Sequence, residues 1–222
     1  VFAGLLLTGG YLGDRFGHRR MLITGIVGFA AVSVLAAGSQ GLGQLIAARG
    51  ALGMFAALVF PATLAIVTTV FTQPREHAAA VGVCAATSGV AVAVGPVLGG
   101  WLLEHFSWTS VFWVNVPLGV IALAAILLVV PGTRPETVSR FDLPGLALSV
   151  AGLGLLTYSV IEGPHVGWLT FRTIGGIVAA VAILGVFARR QLSIDHPILD
   201  VRLFANRRFL SLIHISEPTR PY

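Results

Sequence analysis

Arg49 is the residue whose position asks most of its surroundings. Residues 42–60 read LGQLIAARGALGMFAALVF, and Arg49 is the one ionisable side chain among them. If that run lies in hydrocarbon, the guanidinium costs at least about 2.5 kcal/mol, and more without a partner. A charge retained there lines a solute or ion path, or pairs with a carboxylate from a neighbouring helix. The plainer alternative is an arginine that snorkels to the nearer surface, since Arg49 stands only about two helical turns into its run. Two further stretches carry chemistry. GYLGDRFGHRRML, residues 10–22, sets one acid, Asp14, among Arg15, Arg19 and Arg20, with Gly10, Gly13 and Gly17 spaced between them. A generic basic turn explains the arginines; the spaced glycines and the acid suit a short rigid turn whose Asp14 meets the positive N-terminus of an adjacent helix. GPVLGG, residues 95–100, puts Pro96 inside an apolar run beside Gly95, Gly99 and Gly100. The proline breaks the hydrogen-bond ladder and the glycines remove bulk, which predicts a kinked helix with a flat face packed closely on a neighbour.

Absent residue types narrow the chemistry further. All fourteen basic residues are arginine, and the chain has no lysine. Walker-type phosphate loops and Schiff bases both need lysine, which argues against ATP hydrolysis here. Cys84 is alone, so neither a disulfide framework nor a thiolate zinc site can form, and it reads as a small core residue. His18, His77, His105, His165, His196 and His214 fall in polar breaks or the C-terminal tail, as solvated residues rather than metal ligands or a buried proton relay. Glu104 and Glu162 stand at the ends of apolar runs, where a water-facing position costs little. No constellation of Ser, His and carboxylate suggests an enzyme, and no metal or cofactor is expected.

The elements that hold these residues follow from composition. Of 222 residues 56% are hydrophobic and 10% charged, with a mean hydropathy of +0.90; a soluble domain carries about 25% charged residues. Too few polar side chains remain to cover a water-facing exterior, so the natural solvent is a bilayer, and the net charge of +5 concerns the placement of arginines, not nucleic acid. A spanning helix takes about 20 apolar residues. Runs of that kind lie at residues 1–12, 21–38, 42–71, 78–103, 111–130, 143–161 and 173–188. They are apolar all round, the pattern of helices in lipid or in a membrane bundle. The first is cut short; the third is long enough to require tilt or a kink near Pro61; and Arg172 and Arg189 are placed to snorkel from the two ends of the last. Asp142 is a candidate N-cap for the sixth run, with Pro144 in its first turn.

Arginine placement gives the orientation. Alternate breaks hold Arg15, Arg19, Arg20, Arg75, Arg134, Arg140, Arg189, Arg190, Arg202, Arg207 and Arg208 on one side, and only Arg172 on the other. By the positive-inside rule the first side, including the break at His18, is cytoplasmic. Trp101, Trp108, Trp113 and Trp168 gather near the opposite breaks, as an interfacial belt does.

Together the three chemical stretches resemble the major facilitator superfamily. Gly10, Leu12, Asp14, Arg15, Gly17, Arg19 and Leu22 are similar to the family's motif between its second and third helices, with His18 where a basic residue is usual. Leu45, Arg49, Gly53, Ala56 and Ala57 are similar to its fourth-helix motif, Leu52 replacing a customary glutamine; Gly95, Pro96, Gly99 and Gly100 are similar to a fifth-helix motif associated with antiporters, with Ala91 in its leading position. WTSVFWVNVPLGV (108–120), FDLPGLALSVAGLGLL (141–156) and PILDVRLFANRRF (197–209) resemble the fourteen-helix drug:proton antiporter branch. A twelve-helix member would show a long charged loop where residues 131–142 form a short break.

The resemblance implies an all-α polytopic membrane protein with the major facilitator fold in part, about helices two to eight of fourteen. Residues 1–130 would be an N-terminal half lacking its first helix, 131–188 two extra linking helices, and 189–209 a cytoplasmic segment leading to a missing C-terminal half. Residues 210–220, LSLIHISEPTR, look like translated sequencing adapter, so 210–222 are set aside as a non-native tail. Alternating access is then expected, with Arg49 in proton coupling, the Gly10, Leu12, Asp14, Arg15, Gly17, Arg19 and Arg20 turn as a cytoplasmic gate, and Gly95, Pro96, Gly99 and Gly100 favouring exchange over leak. The expected partners are the lipid bilayer, a small amphiphilic substrate and the proton gradient of a bacterial inner membrane. Transport of a specific metabolite, or a non-transporting membrane scaffold, stands as the alternative.

Overall fold

The computed structural model describes residues 2–130, 132 and 142–194. Their regular structure is helical throughout: α1 (Phe2–Phe16), α2 (His18–Ala37), α3 (Leu42–Val70), α4 (Pro74–His105), α5 (Ser110–Trp113), α6 (Asn115–Val129), α7 (Leu143–Val166) and α8 (Phe171–Ser193). The chain divides into two compact units, Val1–Val138 and Ser139–Tyr222. Six stretches among the described residues are long and apolar enough to cross a membrane: α2, α3, α4, α5 with α6, α7 and α8. The first of the seven expected runs forms α1, of 15 residues. At about 1.5 Å per residue that rises only about 22 Å, short of a hydrocarbon core of about 30 Å. The tail beyond residue 194, including the adapter-like stretch, lies outside the described residues.

Proline and glycine set the boundaries. Gly17 joins α1 to α2 as a single residue at φ 90, a left-handed backbone that costs glycine nothing and other residues much more. Pro74 opens α4 in its first turn, where the missing N–H would be unpaired anyway. The run at 111–130, expected as one helix, is resolved into α5 and α6 because Pro117 has no N–H for the Trp113 carbonyl. Val114 between them keeps helical angles, φ −58 and ψ −30, so both pieces still make one span. The kink expected near Pro61 does not interrupt α3, which is one helix of 29 residues.

In the first unit α3 is the pillar, packed principally on α2 and then on α1. Leu22, Ala62, Ile66 and Ile126 form one buried cluster at the arginine-rich end, and Ala36, Leu52 and Phe112 a second at the other end. Between lipid-solvated helices the hydrophobic effect gives no net attraction, so close approach has to supply it. Glycines provide that approach: a β-carbon on Gly9 would strike the Ala57 carbonyl, one on Gly25 would meet Val59 at 2.7 Å, and one on Gly28 would enter the Phe55 ring. Several helix hydroxyls are satisfied locally: Thr63 donates to the Val59 carbonyl at 2.8 Å and Thr87 to that of Val83 at 2.8 Å.

The second unit is a hairpin. Its turn is closed by Gly167, at φ 101, whose carbonyl accepts from the hydroxyls of Thr170 at 2.8 Å and Thr173 at 2.9 Å. At its other end Asp142, only 7% exposed, caps α7 as the sequence indicates. One carboxylate oxygen accepts from the Gly145 N–H at 3.0 Å and from Arg190 Nε and Nη2, each at 3.0 Å; the other accepts from Gln191 Nε2 at 3.0 Å. Gly145 is obligatory there, since a β-carbon would collide with the same carboxylate. Burial pushes the Asp142 pKa up, but the Arg190 and Gly145 hydrogen bonds, the Arg190 charge and the Gln191 amide outweigh it and hold the carboxyl below its ordinary value.

A folded value below the unfolded one means that the carboxylate stabilises the hairpin at neutral pH. That contribution is lost as pH falls through about 4 toward the lower folded value. Asp142→Asn should therefore cost about 1–2 kcal/mol at pH 7, the low end for charged hydrogen bonds because Arg190 is partly exposed. At about pH 3 the deficit should be smaller than at pH 7. Unfolding of the detergent-solubilised protein at both pH values checks this, and an equal deficit at the two would contradict it.

Candidate functional site

The turn from Gly10 to Arg20 is built by the end of α1 and the start of α2. Asp14, with its side chain 58% exposed, puts Oδ1 3.2 Å from Nε2 of His18, the first residue of α2. The His18 ring fills the space that Gly13 leaves, where a β-carbon would collide with Nδ1. Gly13 thus serves its own turn, and Gly10 meets only Pro61, at an ordinary 3.8 Å. The close approach between α1 and α3 is made by Gly9. Arg19 reaches across to the last turn of α6 and donates to the Leu127 carbonyl at 3.2 Å, satisfying one of the carbonyls that a helix C-terminus leaves open. The Arg15 guanidinium lies 5.5 Å from the Phe16 ring centre, Arg20 is exposed and Leu12 half-buried. One acid therefore meets histidine, and its arginine neighbours tie the turn to α6 and to an aromatic ring.

Arg49 sits in the second turn of α3 with an exposed side chain. Its Cζ lies 5.6 Å from the centre of the Phe112 ring on α5, within the about 6 Å of a cation–π contact. Among the described residues it makes no ion pair. The structure does not bring Arg49 to the Asp14 turn: the former is at the start of α3, the latter at the end of α1, and they mark opposite ends of the helical bundle. Gly95, Pro96, Gly99 and Gly100 all lie on α4, which continues as one helix through Pro96. The close packing expected of that face is not made among the described residues, because a β-carbon on Gly95, Gly99 or Gly100 would have nothing within 4 Å. Only Leu102 of α4 is buried.

Between α2, α3, α4 and α6 lies an open cavity of about 680 Å³, which the sequence did not reveal. Its wall is mainly apolar, with Thr63, Thr87, Ser88 and Asn115 as the polar groups. A mostly apolar hollow with a few fixed polar groups suits amphiphilic small molecules. Among the described residues no group of three His, Cys, Asp or Glu side chains could hold a metal.

Helices of membrane length, with arginines gathered at their ends and one guanidinium two turns into a span, define a polytopic membrane protein. The chain belongs to the Major Facilitator Superfamily, whose family model matches residues 1–201. It is 34% identical over 200 residues to the Tetracenomycin C resistance and export protein of Streptomyces glaucescens, covering 90% of this chain and 37% of that protein. It is 37% identical over 207 residues to the Puromycin resistance protein pur8 of Streptomyces alboniger, covering 93% and 41%. With the Multidrug efflux pump LfrA of Mycolicibacterium smegmatis it shares 36% identity over 213 residues, covering 96% and 42%. The chain thus spans about two fifths of the length of the curated relatives it matches.

Gly9 and Gly10 offer a sharp comparison. Gly9→Ala should cost about 1–3 kcal/mol, because a backbone carbonyl cannot step aside. Gly10→Ala should be neutral or gain up to about 1 kcal/mol of helix propensity. Thermal unfolding of the purified variants measures the difference, and equal stabilities would show that α1 does not approach α3 as described.

Proposed function

We propose that the complete protein is a fourteen-helix, proton-coupled antiporter that exports small amphiphilic compounds across a bacterial plasma membrane by alternating access. The single observation that carries this reading is Arg49, an arginine kept inside an apolar span and resting on an aromatic ring, with no carboxylate opposite it among the described residues. A guanidinium so placed keeps its N–H donors for an acid supplied by another part of the protein. It favours the ionised form of that acid and so sets the pH at which the acid exchanges its proton. Support for the substrate class comes from relatives named for resistance, export and multidrug efflux and from the mainly apolar hollow among α2, α3, α4 and α6.

The remaining residues take roles in the same cycle. Gly10, Leu12, Asp14, Arg15, Gly17, Arg19 and Arg20 form a cytoplasmic gate that is made and broken as the inner side closes and opens. Gly95, Pro96, Gly99 and Gly100 give α4 a smooth face for sliding contact with parts of the protein beyond the described residues. Residues 1–130 belong to the N-terminal half without its first helix, 131–188 to two linking helices and 189–209 to the approach to the second half, with 210–222 non-native. The energy source is the proton gradient, without a cofactor.

Arg49→Ala in the complete protein decides the matter. In everted membrane vesicles energised with a pH gradient, wild type should release protons when puromycin or another amphiphilic cation is added, and Arg49→Ala should lose at least about 90% of that signal, a change of about tenfold or more. Insertion and melting should be unaltered. Undiminished proton movement in the variant would remove Arg49 from coupling, and no response to any amphiphile in wild type would end the export reading.

A further inference from the structure

The stretch WTSVFWVN, residues 108–115, is part of the sequence that resembles the fourteen-helix branch, and it forms α5 with its flanks. We infer that Phe112 is a positioning residue for Arg49, and that the 108–115 stretch is the bracket that fixes it. This inference rests on the coupling role proposed for Arg49.

Four observations converge on the ring. Phe112 is 6% exposed and packed with Ala36 and Leu52 in the outer cluster, so it is anchored in the bundle while the side chain above it is exposed. Trp108 meets it edge-on, with centres 6.1 Å apart and planes at 88°; this geometry directs the positive ring edge at a negative face. Backbone bonds from Phe112 N to the Thr109 carbonyl at 3.0 Å and from Trp113 N to the same carbonyl at 3.2 Å close the turn under α5. On the far side of the break Asn115 Nδ2 donates to Ser33 Oγ at 3.2 Å, and Ser33 on α2 is fully buried. The helix break imposed by Pro117 is what lets α5 stand as a separate short platform beside the start of α3.

The physics of the contact suits a coupling cation. An aromatic face attracts a guanidinium without neutralising it and without occupying its N–H donors. A carboxylate in the same place would quench the charge; water would leave it mobile. Held on Phe112, Arg49 keeps a full charge at a defined point, which is what an exchanging acid needs if its proton affinity is to be set. Without the ring, the guanidinium is free to turn toward the nearer aqueous surface. The acid then loses its neighbouring charge, its pKa rises, and coupling moves to higher pH.

The test uses the complete protein in everted vesicles, with puromycin-driven proton movement read across pH. Phe112→Leu should reduce the signal about threefold to tenfold and move its pH optimum up by about half a unit or more, while Phe112→Tyr restores both. Phe112→Met, close in volume and without a π face, should behave like Phe112→Leu, which separates the cation contact from a packing cavity. On an Arg49→Lys background the Phe112→Leu change should shift the optimum no further. An unshifted optimum in Phe112→Leu and Phe112→Met, or full additivity with Arg49→Lys, overturns the positioning role while leaving the antiport reading intact. If Arg49→Ala itself transports normally, the antiport role of Arg49 falls. Positioning then survives only as a geometric fact, shown by whether the 49 and 112 substitutions are non-additive in thermal unfolding.

Discussion

Everything in the first unit depends on how closely α1 and α2 can approach α3. In lipid the medium around a helix is as apolar as the helix, so burying leucines against each other gives little net attraction. What remains is dispersion between surfaces in direct contact, and that falls away within a fraction of an ångström. Gly9, Gly25 and Gly28 remove the side chains that would hold the backbones apart, and each lies against a particular atom group of α3: the Ala57 carbonyl, Val59 and Phe55. The two buried clusters at the ends of α3 follow from that spacing, and with them the place of Arg49 near one cluster and Ile66 in the other.

The acids at the helix ends are held by nearby donors and cations. Asp142 and Asp14 show two solutions. Asp142 is taken almost wholly out of water and given four hydrogen bonds from the N–H of Gly145 and the side chains of Arg190 and Gln191, so two helices are tied by one carboxylate. Asp14 stays wet and takes one histidine partner, while Arg19 turns aside to cap α6 through the Leu127 carbonyl. The first arrangement is rigid by construction, since removing any donor exposes a buried anion. The second holds an exposed acid beside a histidine at the surface, the kind of contact that can be exchanged at small cost.

Much of this was legible in residue order. Spans and breaks follow from apolar run length, because the bilayer admits few alternatives. The Asp142 cap with Pro144 behind it was readable for the same local reason. Less accessible were features that need a second helix to be known. Gly9 looks no different from Gly10 in the sequence, yet one touches a carbonyl and the other an open side of Pro61. Arg190 and Gln191 stand 48 and 49 residues from Asp142, and nothing in their own neighbourhood announces the bond. Phe112 reads as one aromatic in a row of them until α5 breaks from α6 and lays its ring beside a cation.

The features singled out for chemistry are also the ones that the described residues leave uncovered, and there is a physical reason for the coincidence. A residue that serves the unit's own cohesion is buried by that unit: Ala57, Ala62, Ser33 and Leu52 are all enclosed. A residue that serves exchange must face something that comes and goes, whether a solute, a proton or a moving helix. Arg49 keeps its guanidinium exposed above a buried ring, and Gly95, Gly99 and Gly100 present a face of α4 with open space before it. A glycine face turned permanently to lipid would sacrifice helix propensity of about 1 kcal/mol per residue with no contact in return. On a helix with a single buried residue, that face fits the sliding contact proposed above for α4.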